Sequence, residues 1–418
     1  MTAQPQRFHR SLFASGVLLG LIAEQVVLFA VPLLIFHDTQ KVSSLGFAFA
    51  LEWLPGLIAY PFAGLVADRD GGSRLFSRVT TIRAAVLVCV AVICLTTPSW
   101  TTGALMTGGA VLSVFVAPTR MSVEKMVPQL AKGDKVASTQ SLVQNMELLA
   151  MALGPALAIV AAAALGKVWL LLVAAGAFAL AAVSWLPLPR GLRSPGAGGV
   201  GTAGQIFAEL GLGWRLLVGN RPVLLLGILN FAINLVLASM LSANAALVTG
   251  VFGAPDSAFG WLNTFVGVTG LLNLLVIPLL LRRVSVGALG VIGFTLLSGA
   301  LLVAGFAPSF LVYGAAFVVV LLGDAYYNVF NRTQRLKVIP EEHLGKIMGP
   351  FYLLNLLSFP IAGLLVASVG TAVGPQQLVV ALAVLLCVFG AVFLPLTIRS
   401  FRRALAARND DVALGASA

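Results

Sequence analysis

Charge is scarce in this sequence: Asp, Glu, Lys and Arg together make up 10% of its 418 residues, with 15 acids against 26 bases. A soluble chain of that length needs a far more polar surface. Cysteine is nearly missing as well. Cys89, Cys94 and Cys387 each sit inside an apolar run, and none belongs to a CxxC or a Cys/His cluster, which excludes metal-finger and disulfide frameworks. Phosphate-cradling Walker loops, nucleophile elbows and zinc-ligand spacings are all lacking, so ATP hydrolysis by this chain and hydrolytic catalysis are disfavoured. His9 and His343 read as solvated residues, and His37-Asp38 as a solvated helix end.

What is present in abundance is apolar sequence: 59% hydrophobic residues and a mean hydropathy of +1.00. The first run, LFASGVLLGLIAEQVVLFAVPLLIF at 12–36, is long enough at about 1.5 Å per residue to cross a bilayer core of about 30 Å. It exceeds a signal-peptide core about twofold and no A-x-A-like cleavage site follows, so it reads as a retained span. Eleven further runs follow, at 44–66, 79–97, 101–121, 138–165, 167–187, 222–247, 257–281, 284–306, 309–331, 347–371 and 376–397. The expected class is an all-α integral membrane protein with twelve transmembrane helices.

The excess of +11 in formal charge is a topology signal. With a cytoplasmic N-terminus, 24 of the 26 Lys and Arg fall on the cytoplasmic side, leaving only Lys41 and Lys167 outside. The positive-inside rule therefore places both termini in the cytoplasm of a multi-pass cell-membrane protein, a bacterial inner membrane being expected. Nucleic acid is not an expected partner, and the lobes leave no room for an extracellular domain.

One interruption divides the runs six and six. It opens as a Gly/Pro/Ser-rich linker and continues as QIFAELGLGWRLLVGNRP, which predicts an interfacial helix. The expected organisation is an N-terminal lobe at 1–187, a cytoplasmic linker at 188–221, a C-terminal lobe at 222–397 and a basic tail at 398–418. An internal repeat supports it. Arg120 to Pro128 aligns without gaps on Arg332 to Pro340, with Arg, Lys and Pro coinciding after runs four and ten. Parallel repeats of this kind are related by a pseudo-twofold axis along the membrane normal in one transporter architecture.

Between runs two and three stands Gly64-Leu-Val-Ala-Asp68-Arg69-Asp-Gly71-Gly-Ser-Arg74. It resembles the loop signature G-x-x-x-D-[RK]-x-G-[RK]-[RK] of the major facilitator superfamily, departing from it at Gly72-Ser73, where two basic residues are expected. Pro128-Gln-Leu, Gly154-Pro155-Ala-Leu, Glu209-Leu-Gly, Trp214-Arg and Asn220-Arg-Pro together resemble the branch that includes enterobactin exporters and macrolide efflux pumps. The resemblance implies alternating access about a central site, with Gly64, Asp68, Arg69, Gly71 and Arg74 as a gating loop. A carboxylate at the end of a helix opposes that helix's dipole, so Asp68 calls for a basic or helix-N-terminal partner.

Ionisable groups at membrane depth are functional-site candidates by default. Four acids lie within runs: Glu24, Glu52, Glu147 and Asp324, with no Lys or Arg placed comparably deep by the run boundaries. They are expected to carry protons. Helical spacing puts Glu147 with Gln144 on one face, and Asp324, Tyr327, Asn328 and Asn331 on another, while Asn230 and Asn234 stand one turn apart. Together with Glu24 these form the expected substrate-contacting set, though interhelical hydrogen bonding is an equal rival for the Asn pair. The expected function is a monomeric secondary transporter, driven by the proton gradient without a cofactor or metal. It exports a small amphipathic or cationic organic molecule or a siderophore in exchange for protons, with membrane lipid around it. Metallophore uptake, lysophospholipid flipping and a non-transporting receptor are the alternatives.

Overall fold

The computed structural model describes the backbone of residues 3–70, 72–130, 135–189, 203–339 and 341–416, and most of their side chains. Among the described residues every regular element is helical. The chain runs through α1 (Ala3–Thr39), α2 (Val42–Asp70), α3 (Gly72–Thr96), α4 (Thr101–Val114), α5 (Val116–Leu130), α6 (Lys135–Leu165) and α7 (Trp169–Ser184). It continues through α8 (Ala203–Gly219), α9 (Arg221–Ala245), α10 (Asp256–Leu281), α11 (Val286–Gly305), α12 (Phe310–Val338), α13 (Glu341–Leu365), a single turn α14 (Thr371–Val373) and α15 (Pro375–Ala416). Helix is the physical requirement here: in lipid each backbone N–H and C=O must find its partner within the segment.

Eleven described segments are long and apolar enough to span a membrane, and the shorter apolar α7 makes the twelfth. The fourth span is built from α4 and α5, which break at Phe115 and continue in nearly the same run. Proline lies inside several spans, at Pro32, Pro55, Pro61, Pro155, Pro278, Pro350, Pro360 and Pro395. Each removes one ladder hydrogen bond, which a transmembrane helix tolerates where neighbours compensate. Tight turns end α6 at Gly166 and precede α15 at Gly374, both with φ of 94°.

The described chain forms two compact units. The first comprises the described part of Met1–Gly201 together with Ala243–Leu271; the second comprises the rest, Thr202–Ser242 and Leu272–Ala418. The first unit is centred on Trp185, which is fully buried, stacks on Phe76 at 3.8 Å between ring centroids, and donates its indole N–H to the Phe13 carbonyl at 3.2 Å. Gly16 of α1 lies directly against that indole. The stretch Ala243–Leu271, which holds the end of α9 and the first part of α10, packs within this unit: a methyl at Gly267 would overlap the Ala152 backbone of α6, and Gly260 lies under Ile159 and Phe29.

In the second unit α11 and α12 cross at backbone contact. An added Cβ at Gly293 would lie 2.7 Å from the Gly323 carbonyl oxygen, and the reverse holds for Gly323 against Gly293. The linker helix α8 docks on α13, with Gly213 against Lys346 and Pro350, and Leu217 shares a buried cluster with Val223, Ile339, Ile347 and Phe351. The tail expected from 398 onward continues α15 without a break as far as Ala416.

Candidate transport site

Two groups of polar side chains stand inside the spans, one in each unit. In the first unit, α1 supplies Glu24, α2 supplies Glu52 and α3 supplies Arg83. Arg83 Nη2 lies 3.6 Å from Glu24 Oε2, and Glu52 is within electrostatic range of Glu24. The arginine is buried, with its guanidinium 4.2 Å above the ring of Phe178 of α7, and its Nε has no hydrogen-bond partner among the described residues. The Glu24 side chain keeps 29% of its surface open.

This corrects one sequence expectation. Glu24 was expected to lack a counter-charge because Arg83 was placed near a span end. The third helix starts at Gly72, seven residues before the apolar run at 79, so Arg83 stands eleven residues into it, about 16 Å along its axis. The cation is supported at that depth by the face of an aromatic ring. Glu147 of α6 makes a different picture: it is exposed, as are Gln144 and Met151, so these three do share an open face. Two turns further along the same helix Gly154 packs on Gln25 of α1.

In the second unit three helices are tied by amides. Asn331 of α12 donates to Asn230 of α9 (2.7 Å), Asn230 donates to Asn355 of α13 (2.6 Å), and Asn355 donates back to the Phe351 carbonyl (2.6 Å). All three are buried. They border a cavity of about 150 Å³ that Asn234, Asn328, Arg335 and Tyr352 also line. Interhelical bonding and cavity lining are thus the same arrangement at Asn230. Asp324 lies one turn above, half-buried, and accepts a hydrogen bond from Asn328 (2.9 Å).

The structure places Tyr327 apart from that cavity. It is fully buried in the α11–α12 packing, near Phe294 and Phe330, and its hydroxyl has no partner among the described residues. The spacing rule puts Tyr327 beside Asp324 on the helix, but the backbone crossing at Gly293 brings α11 onto that flank. Arg335, Tyr352 and Asn355 were not singled out from the sequence; Asn355, an amide within an apolar run, carried the same signal as Asn230. Of the loop motif, Gly64, Asp68, Arg69 and Gly71 lie outside the residues whose side chains are described, and Arg74 is exposed.

A third polar group joins the C-terminal end of α1, the α6–α7 turn and the N-terminal end of α10, all in the first unit. His37 Nε2 lies 3.1 Å from Asp256 and 2.7 Å from Lys167 Nζ, and Lys167 also pairs with Asp256. Asp38 accepts from Thr102. No group of three or more metal-ligating side chains occurs among the described residues.

Twelve apolar helices, with a paired carboxylate in the first unit and an amide-lined cavity in the second, make a polytopic membrane protein. The chain belongs to the Major Facilitator Superfamily, whose family model matches residues 13–362. It is a secondary transporter of that family. Among solved structures it is similar to a mutant of the nucleoside transporter NupG, with a TM-score of 0.77 at 14% identity over 94% of this chain and 100% of that one. It is also similar to a bacterial homologue of the human lysosomal transporter Spinster in an inward-facing, unoccupied conformation (TM-score 0.70, 13% identity, 97% and 99% covered). A POT family transporter in complex with 5-aminolevulinic acid is a third such structure (0.71, 15%, 94% and 96%). At these identities the likeness is one of fold. No curated protein sequence matches the chain.

Proposed function

We propose that this protein is a proton-coupled exporter, exchanging protons for a small amphipathic or cationic organic molecule or a siderophore by alternating access, as in the enterobactin-exporter and macrolide-efflux branch. It works as a monomer in the bacterial inner membrane with both termini in the cytoplasm, an orientation supported by the one-sided distribution of Lys and Arg.

The observation that carries the reading is the ion pair of Glu24 with the buried guanidinium of Arg83, with a second carboxyl, Glu52, within electrostatic range of Glu24. One cation compensates one carboxylate, and an uncompensated second one is costly at this depth. The pair therefore holds a proton when closed off and gives it up when water or substrate reaches the open flank of Glu24. Glu147 and Asp324 are secondary proton carriers in the same scheme. Arg74 and the Asp68–Arg69 loop serve as the cytoplasmic gate.

The test is transport in proteoliposomes under an imposed pH gradient, with ethidium as a cationic probe and a catecholate as an anionic one. Glu24→Gln is expected to abolish gradient-driven flux of the transported probe while leaving gradient-free exchange intact. Undiminished gradient-driven flux in Glu24→Gln would remove this residue from the coupling step.

A further inference from the structure

The cavity of the second unit has an electrostatic character that its amides alone do not explain. Arg332 and Arg335 both line it, one turn apart on α12, and no acid is among its lining residues. Arg335 is 6% exposed. Of the five N–H donors that a guanidinium carries, one hydrogen bond among the described residues engages a single one, Nη2 to the Tyr352 hydroxyl at 3.1 Å, and Nε has no partner among them. Its ring neighbours, Phe351 at 5.0 Å and Tyr352 at 5.2 Å, hold the guanidinium in place without neutralising it. Among the described residues the like charge of Arg332 acts on it. Arg332 itself is exposed and feels Asp324 through space, but that carboxyl is engaged by Asn328 and does not line the cavity.

A buried cation with open donors and a second cation one turn away is unfavourable unless an anion completes it. Arginine's planar fork matches the two oxygens of a carboxylate or phosphate. The Asn331 amide is anchored through its own NH2 group to Asn230, and Asn230 to Asn355, so the α9–α12–α13 wall is fixed before any ligand arrives. Phe351 and Phe359 supply an apolar flank beside the two guanidiniums. We propose that this cavity is an oxyanion-binding subsite in which Arg335, assisted by Arg332, holds the carboxylate or phosphate of a ligand whose aromatic or apolar body lies against Phe351 and Phe359. A volume of about 150 Å³ admits one such head group with a small ring attached. Resting on the transporter reading above, the inference narrows the cargo to molecules that carry an acidic group, a siderophore or an amphipathic acid, in preference to a purely cationic drug. The same chemistry is offered by the head group of an anionic phospholipid.

The experiment is equilibrium titration calorimetry of the full chain in phosphatidylcholine nanodiscs with benzoate and with its neutral isostere benzamide. It uses no gradient, so its outcome is independent of proton coupling at Glu24. Benzoate is expected to bind saturably and benzamide at least about tenfold more weakly, the scale of one charge-assisted hydrogen bond. Arg335→Gln should lose about tenfold in benzoate affinity, Arg335→Lys should retain part of it, and the exposed Arg332→Gln should lose several-fold without disturbing the fold. Repeating the titration in discs containing phosphatidylglycerol separates the two sources: competition identifies a lipid head group as occupant, and unchanged affinity identifies a soluble acid, each in keeping with an oxyanion site. Equal affinity for benzoate and benzamide, no saturable benzoate binding, or wild-type benzoate affinity in folded Arg332→Gln together with Arg335→Lys overturns the proposal.

Discussion

Glu24 and Arg83 interact across about 3.6 Å in a setting that leaves the acid partly open and the base closed. That asymmetry decides how substitutions there behave. Removing one member of a buried pair strands the other, at a cost of about 3–5 kcal/mol, and the open flank of Glu24 reduces this. Glu24→Gln, which strands the buried Arg83, should therefore destabilise the protein more than the double substitution Glu24→Gln with Arg83→Met. Thermal unfolding in detergent reads the cycle, and additive effects would show that the two side chains are independent. Legibility of this site in the sequence was partial for a geometric reason. An acid within an apolar run is visible in one dimension, and Glu24, Glu52, Asn230, Asn234, Asn328 and Asn331 all stood out that way. A counter-charge is visible only once helix starts and side-chain reach are known, which is why Arg83 and Arg335 were placed at span ends and passed over. Tyr327 fails in the converse way, since a shared helical face says nothing of which neighbouring helix covers its edge.

Helix crossings in this protein are set by small residues, as membrane packing without a hydrophobic driving force between helices requires. Gly293 and Gly323 allow α11 and α12 to touch backbone to backbone, whereas Gly299 on the same helix has open space where a side chain would go. Gly293→Leu should thus cost stability by about 1–3 kcal/mol or prevent folding, while Gly299→Leu should be near neutral, as read by thermal unfolding of the purified variants. The N-terminal part of α10 poses a question of which force holds it to α6 and α1. The His37–Lys167–Asp256 group is a candidate, but Lys167 is 34% and Asp256 27% exposed, so the pairs are worth about 1 kcal/mol or less. Close packing at Gly260 and Gly267 outweighs it. Asp256→Asn is accordingly expected to speed amide hydrogen exchange in the N-terminal part of α10 by no more than about fivefold, and Gly267→Val to speed it far more. Small-residue spacing at Gly267 and Gly270 marks a packing face in the sequence; the partner, α6, is not legible there, because nothing local in a sequence names a contact a hundred residues away. Asn263 of α10 satisfies itself on its own helix by donating to the Phe259 carbonyl at 2.7 Å.

At the scale of the whole molecule, twelve apolar runs were legible because the bilayer imposes both length and composition on each span. Division into compact units was less so. The repeat relating Arg120–Pro128 to Arg332–Pro340 speaks of how the chain arose, and its halves meet at the linker. Contacts follow a different line: the first unit takes in Ala243–Leu271 from the second half, and α8 of the linker belongs to the second unit through α13. Only packing decides such membership. The first unit holds the paired carboxylate and the second holds the amide and arginine cavity, so the proposed division of labour is protons in one and cargo in the other. Coupling between them is a free energy, and it is reciprocal: if a proton gradient moves cargo, a cargo gradient moves protons. The most direct measurement is to load proteoliposomes with a pH-sensitive dye, impose a gradient of a transported probe with no pH difference, and follow the internal pH. The account predicts a proton current opposite to the probe flux that disappears in Glu24→Gln; probe movement with a static internal pH in the wild-type protein would contradict it.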